Sequence, residues 1–291
     1  MSVLVFGGSG RTGMVLCEVL RQRGCAFIAP SHAECDLADP AAVSDFVLGC
    51  GASLVINAAA VSSLERCAED PLTAHLVNAV SPAAMALACR HTGARFVHLS
   101  TDYVLDGRRP VQHGEGAKCR PCSVYAESKR EGELQVAEAL PSALIARVSW
   151  ICGNPQRPGF LESVVTKARA GLPLAAVADK FSMPTSAEDI ARVILSPQLE
   201  SYQGVLHLCS AGEPVSWRQM ALWALEEAAA AGVLSAVPPV EAQLLDRVPF
   251  FREPRPRHTA MSCARLLSLG VTMPTAEETV RRAVRRMLAA G

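Results

Sequence analysis

No stretch of this chain approaches the run of about 18 apolar residues that a membrane-spanning helix needs, so no membrane contact is predicted. Excess charge is missing too, because 28 basic side chains balance 28 acidic ones. That balance argues against a nucleic-acid binder working by bulk electrostatics, while leaving room for one local basic pocket. The opening residues, Met1-Ser2-Val3-Leu4-Val5-Phe6-Gly7, lack the basic segment and cleavage site of a secretory leader and read as an immediate strand. There is no internal repeat and no low-complexity tract. The eleven cysteines are odd in number and scattered through apolar surroundings. This excludes an orderly disulfide framework and predicts a reducing, cytoplasmic setting. Cys119-Arg120-Pro121-Cys122 lacks a second Cys or His pair at zinc spacing and reads as a plain loop.

What is present is a core. Half of the 291 residues are apolar, enough for one large domain or two smaller ones. Short apolar runs at Val3–Phe6, Ala26–Ala29, Ser53–Ile56, Arg95–Leu99 and Ser142–Val148 alternate with helical stretches. Among these are Thr12–Arg23, a helix opened by Asp39-Pro40, one running from Asp70-Pro71 towards Gly93, and residues 123–138. Strands separated by helices imply βαβ crossovers and an α/β fold with a doubly wound parallel sheet of Rossmann type. Residues 1–150 are expected to bind a dinucleotide. Residues 151–291, where the rhythm loosens after the loop Asn154–Gly159, are expected to form a smaller substrate-binding lobe with segments returning to the main domain.

The glycine turn Gly7-Gly8-Ser9-Gly10-Arg11-Thr12-Gly13 fits two registers, GxGxxG and GxxGxxG. Either allows a tight turn, close approach of backbone to a pyrophosphate, and a helix N-terminus facing negative charge. After the second strand, Ala29-Pro30-Ser31-His32 offers no acid at the tip, where a carboxylate usually selects NAD. Arg11, with Ser31 and His32, would instead receive a 2′-phosphate, which predicts NADPH and keeps NADH as the alternative. Arg11 as a solvated surface residue is the competing reading.

Tyr125 and Lys129 stand four apart in Tyr125-Ala126-Glu127-Ser128-Lys129. On a helix that spacing puts phenol and ammonium on one face. A neighbouring ammonium favours phenolate and lowers the tyrosine from its usual value of about 10, which predicts a proton donor. The same spacing also occurs on ordinary solvated helices, so the pair alone leaves both readings open.

With these segments in view, the chain resembles the extended short-chain dehydrogenase/reductases, and more narrowly the dTDP-4-dehydrorhamnose reductase family. The resemblance runs in order through Asn57-Ala58-Ala59-Ala60, Ser100–Gly107, Tyr125–Lys129 with Glu131-Gly132-Glu133, Arg147-Val148-Ser149-Trp150, Asp179–Thr185, Gly204–Leu208, and Arg255-Pro256 with Cys263–Leu266. It implies hydride delivery from a nicotinamide cofactor to C4 of a nucleotide-linked 4-keto-6-deoxyhexose, with Thr101, Tyr125 and Lys129 catalytic. It implies a cofactor set of Gly7, Ser9, Gly10, Arg11, Thr12, Ser31, Asp36, Leu37, Ala58, Ala59 and Ala60 beside Tyr125 and Lys129. Ser62, Ser63, Thr101, Asp102, Tyr103 and Trp150 would line the sugar pocket. The partner implied is a nucleotide sugar, without nucleic acid or membrane. Two departures matter. Some family members bridge subunits through a carboxylate-bound metal, but here Met14 and Val15 stand in the first helix where an acid is needed, and Glu188 alone is a weak magnesium ligand. No metal is expected, and the protein would be a monomer or a homodimer without a metal bridge. Gly159 stands where an asparagine is frequent. Alternatives to the reductase are another ketoreductase or epimerase of nucleotide sugars, or a non-catalytic NADP-binding regulatory subunit resembling that of methionine adenosyltransferase.

Overall fold

The computed structural model of the chain describes residues 2–154 and 156–290. Met1, in the opening segment, and Pro155, in the loop after Asn154, lie outside the described residues. The centre is a sheet of six strands: β1 (Ser2–Phe6), β2 (Ala26–Ile28), β3 (Leu54–Asn57), β4 (Arg95–Thr101), β5 (Leu144–Val148) and the strand Gly204–Leu208. Their spatial order is β2-β1-β3-β4-β5 followed by Gly204–Leu208, and every pairing is parallel. A parallel sheet is covered on both faces, which is why its central strands are buried almost throughout rather than at alternate residues. On one face Val15, Leu16 and Leu20 of α1 (Arg11–Gln22) pack with Ile190 and Ile194 of the helix Ala187–Ile194. On the other lie Val43 and Val47 of α2 (Pro40–Gly49), with Met85 and Cys89 of Ser81–Thr92 and Val136 of Val124–Ala139. The fold is therefore α/β and doubly wound, of Rossmann type. Strand order reverses between β1 and β3, and ligands of such sheets sit in the crevice beyond the carboxyl ends there.

Local chemistry sets the helix starts. Asp39 caps α2 by accepting from the Ala41 and Ala42 N–H groups at 3.0 and 3.1 Å, with Pro40 in the first turn. Ser123 caps Val124–Ala139, the candidate active-site helix that carries Tyr125 and Lys129, through the Ala126 N–H at 3.3 Å. The helix expected from Pro71 to Gly93 is more elaborate. An α-turn at Pro71–His75 widens into a π-helical turn at Leu76–Val80 before the α-helix Ser81–Thr92 ends on Gly93 in the left-handed region. This run is long and apolar enough by length and composition to cross a membrane, but half of its most apolar window is buried inside the protein.

The later residues pack a second cluster. Helices Phe160–Arg169, Trp217–Ala230 and Ala276–Ala290 surround Leu161, Val165, Met220, Val280 and Val284. The last of these helices, and the parallel pairing of Ala175–Val177 with Glu241–Gln243, go beyond the elements expected from the sequence.

The active-site helix is pinned to the sheet by charge. Arg147 of β5 and Glu133 of the helix are both 1 % exposed and form a bidentate pair at 2.7 and 2.8 Å. Ser100 donates a further 2.6 Å hydrogen bond to Glu133, and Arg130 one of 2.7 Å. Burial raises the Glu133 carboxyl, but the bonds and charge of Arg147 outweigh it and hold it below its usual value. A depressed carboxyl contributes stability fully above its unfolded value of about 4.3 and loses it as pH falls through the lower folded value. Removing one partner strands the other charge, so Arg147→Met should cost about 3–5 kcal/mol in urea unfolding near neutral pH. The deficit relative to wild type should shrink as the medium is acidified below about pH 4. A variant as stable as wild type near neutrality would remove the pair from this role.

Candidate active site

The crevice between β1 and β3 is shaped by backbone contact. Gly7 has φ +79°, and a Cβ there would come within 2.7 Å of the Ala59 nitrogen. A Cβ on Gly13 would fall 2.0 Å from the Gly7 carbonyl oxygen, so α1 can start this close to the turn only with glycine. Gly10 caps α1 but supplies no side-chain acceptor to its first-turn N–H groups. Those donors, at the positive end of a twelve-residue helix beside a side-chain-free turn, fit a pyrophosphate. Ala58–Ala60 form the opposite wall, with the Ala58 N–H bonded to the Phe6 carbonyl at 3.0 Å. Ser9 is exposed and Thr12 buried. Ser31 donates to Glu34 at 2.8 Å, and exposed His32 faces Asp36 at 3.6 Å. The Leu37 carbonyl accepts from Ser81 at 2.7 Å.

Arg11 departs from its expected place. Its guanidinium donates to the carbonyls of Ile151, Arg157 and Pro158 at 3.4, 3.2 and 3.4 Å, bridging α1 to the later half of the chain. It is thereby drawn away from Ser31 and His32, and the structure does not assemble the 2′-phosphate cluster expected of these residues. Gly159 makes room for this course, since a Cβ there would stand 3.2 Å from the Arg11 guanidinium.

The catalytic candidates meet at the carboxyl end of β4. Ser100 and Thr101 are its last residues rather than lying past it, and Asp102–Val104 form a single 3-10 turn. Tyr125, in the first turn of the active-site helix, stands beside the Thr101 hydroxyl and edge-on to Tyr103, with ring centroids 5.9 Å apart. Gly132 lets this helix approach the π-turn, for a Cβ would meet the Asn78 carbonyl at 2.2 Å. Asn78 in turn donates to Ser128 at 3.0 Å, between Tyr125 and Lys129.

Electrostatics correct the expected tuning. Burial pushes Tyr125 up to about 12, with the Thr101 hydrogen bond opposing and the Asp102 charge adding. Lys129 does not offset this. Its Nζ donates to the Leu99 carbonyl at 2.7 Å and lies 3.2 Å from His98 Nε2, turned into the sheet rather than to the phenol. Burial draws Lys129 down to about 8, against the charge of Glu133.

The sugar-pocket set divides. Asp102 is 3 % exposed, and its carboxylate accepts from Ser149 at 2.9 Å and Thr101 at 3.3 Å, so it holds the strand ends together instead of facing a ligand. Ser63 caps the helix Leu64–Glu69 through the Arg66 N–H at 3.3 Å, and Ser62 is exposed. Trp150 does face a cavity, from a backbone held at φ +46°, a conformation rare for a bulky residue. This cavity of about 400 Å³ has Trp150, Phe160, Trp217, Val177, Phe251 and Arg11 in its wall.

Lys180, missed as a site residue, links the two regions. It is 0 % exposed, donates to the Pro256 carbonyl at 2.5 Å, and sets its ammonium 4.7 Å from the Tyr103 ring centroid and 5.8 Å from that of Trp217. Burial draws it to about 8, with Asp102 opposing. Its place within Asp179–Thr185 was the available signal. Glu188 is paired with Arg286.

Residues 1–289 match the family model described as RmlD substrate binding domain. The dTDP-4-dehydrorhamnose reductase of Escherichia coli (strain K12) is 32% identical over 266 residues, covering 88% of this chain and 86% of the relative. Among solved structures, a dTDP-4-dehydrorhamnose reductase from Clostridium acetobutylicum has a TM-score of 0.90 at 26% identity, covering 99% of this chain and 100% of that one. A dTDP-4-dehydrorhamnose reductase from Bacillus anthracis in complex with NADP has a TM-score of 0.87 at 24% identity, covering 100% and 99%.

The glycine cradle makes a direct prediction. Overpacking costs about 1–3 kcal/mol, so Gly13→Ala should weaken NADPH binding by roughly tenfold or more. Fluorescence titration of the nicotinamide measures this, and unchanged affinity would show that the cradle does not hold the dinucleotide.

Proposed function

This chain belongs to the RmlD substrate binding domain family, and within it we propose that it reduces dTDP-4-dehydro-L-rhamnose to dTDP-L-rhamnose. More coarsely, it is an NADP-dependent oxidoreductase and a ketoreductase of nucleotide sugars. The observation that carries the finer reading is the position of Tyr125. It stands beside the Thr101 hydroxyl at the carboxyl end of β4, edge-on to Tyr103.

The bound cofactor supplies the hydride that reduces the ketone. A phenol pushed up to about 12 stays protonated at neutral pH, so Tyr125 always has a proton to give to the nascent alkoxide. Thr101 supplies a second, fixed donor to the developing oxyanion. Lys129, one turn below, would meet the phenolate left behind once it carries charge. Gly7, Gly10 and the first turn of α1 would hold the pyrophosphate, with residues 1–150 as the cofactor unit and 151–291 as the substrate lobe with segments returning to the main domain. Trp150, Phe160 and Trp217 offer faces for a nucleobase, and Arg11 offers a cation for its phosphates. Asp102 enters as a brace for Thr101. The reaction is proposed to need no metal, and Glu188, the carboxylate matching the family's metal ligand, pairs instead with Arg286.

Purified protein given NADPH and dTDP-4-dehydro-L-rhamnose should consume the cofactor. Tyr125→Phe should lower kcat by roughly 10²–10⁴ while leaving NADPH affinity nearly unchanged. No turnover with any nucleotide-linked 4-keto sugar, or wild-type kcat in the variant, would overturn the reading. EDTA should leave the rate unaltered; a loss restored by magnesium would show that carboxylates other than Glu188 complete a metal site.

A further inference from the structure

Asn57, His98 and Lys129 form a continuous hydrogen-bonded chain from β3 through β4 to the active-site helix, with exposures of 0, 0 and 1 %. Its direction is set at one end. The Ala59 N–H donates to Asn57 Oδ1 at 3.0 Å, which fixes the amide so that Nδ2 donates to His98 Nδ1 at 3.1 Å. A neutral imidazole accepting at Nδ1 carries its proton on Nε2. That N–H points at Lys129 Nζ, 3.2 Å away, while Nζ donates to the Leu99 carbonyl at 2.7 Å. An ammonium has donors and no lone pair. Every member of the chain is therefore satisfied when Lys129 is a neutral amine accepting from His98.

We propose that His98, locked by Asn57 as its Nε2–H tautomer, is a positioning residue that opposes the charged form of Lys129 and so sets the pH at which the Tyr125–Lys129 pair changes protonation. The proposal rests on the reading of that pair as the proton-handling groups. Charging Lys129 obliges His98 to move its proton to Nδ1 and Asn57 to turn its amide over. The turn removes Oδ1 from the Ala59 N–H, in the wall of the cofactor crevice. A buried donor left unpaired in this way is expensive, which is what holds the lysine back.

Other groups bear on the same site. From the active-site helix, Glu133 favours the ammonium, but its carboxylate is shared with Arg147 and Arg130. Tyr125 lies on that helix too, with Asp102 and Tyr103 beyond β4 and Cys67 on the neighbouring helix Leu64–Glu69 acting on the phenol. Burial, aided by the charge of Lys129, pushes His98 well below its usual value and so disfavours the imidazolium.

The test is made on cofactor-free protein by nitrogen-15 NMR of the imidazole and carbon-13 NMR of the lysine side chain. In wild type above the Lys129 transition, His98 should show its proton on Nε2, and it should switch to Nδ1 as Lys129 charges. Asn57→Asp keeps an acceptor for Ala59 but accepts from His98 Nδ1–H, leaving the Nε2 lone pair to accept a hydrogen bond from the Lys129 ammonium. It should fix the Nδ1–H form and move the Lys129 titration up by roughly one pH unit or more. An Nδ1–H ring in wild type at high pH overturns the proposal, even if the variant fails to fold. So does a Lys129 titration that stays put after the tautomer has been reversed. Neither reading uses substrate, so a missing reductase activity would count against the proposed function and leave the coupling to be decided by the spectra.

Discussion

The Glu133–Arg147 ion pair is the constraint on which the rest of the site depends. A helix laid on a sheet by apolar contact alone can slide or rotate at little cost. A bidentate pair in a dry interior cannot, because any shift leaves a charge unpaired. Ser100, one residue before Thr101, shares the same carboxylate, so strand end and helix are registered against each other by one group. Tyr125 and Thr101 meet because their neighbours do.

Much of this was legible in the chain. The alternation of apolar runs with helical stretches gave the sheet, and Asp39-Pro40 and the glycine turn marked starts that the structure keeps. These signals are local, decided by residues within a turn of one another. What escaped was decided at a distance. The spacing of Tyr125 and Lys129 puts them on one face, yet it does not say whether a four-carbon side chain bends to the phenol or into the strand. The Leu99 carbonyl and His98, some thirty residues earlier, settle that. Arg11 is taken by carbonyls about 140 residues away. The resemblance implied that Asp102 lines the sugar pocket, but its carboxylate accepts from Ser149 and it is buried. The helix Ala276–Ala290, by contrast, was legible locally, since Val280, Ala283, Val284, Met287 and Leu288 recur at helical spacing opposite its arginines.

Two lysines with little or no exposure lie near this site, Lys129 one turn along the helix from Tyr125 and Lys180 against the Tyr103 ring. Both are drawn to about 8, close enough to neutrality that modest changes in their surroundings alter their charge. The site thus holds two adjustable cations on the same side of the fold as a tyrosine that is itself reluctant to ionise. Ligands entering the crevice or the aromatic cavity would change the local dielectric for all three groups together.

The π-turn at Leu76–Val80 has a consequence for how this chain can vary over evolutionary time. Such a turn amounts to a helix that has accepted one extra residue, and the surplus rotates everything after it by roughly a hundred degrees. Here the rotation lets Asn78 face Ser128 while Ser81–Thr92 still presents Met85 and Cys89 to the core. Losing that one residue would restore a straight helix and improve its own hydrogen bonding, while misaligning one of those two faces. Substitutions along this helix can therefore accumulate singly, but its length cannot drift by one. In this segment the reading of the chain is protected more strictly against deletion than against exchange.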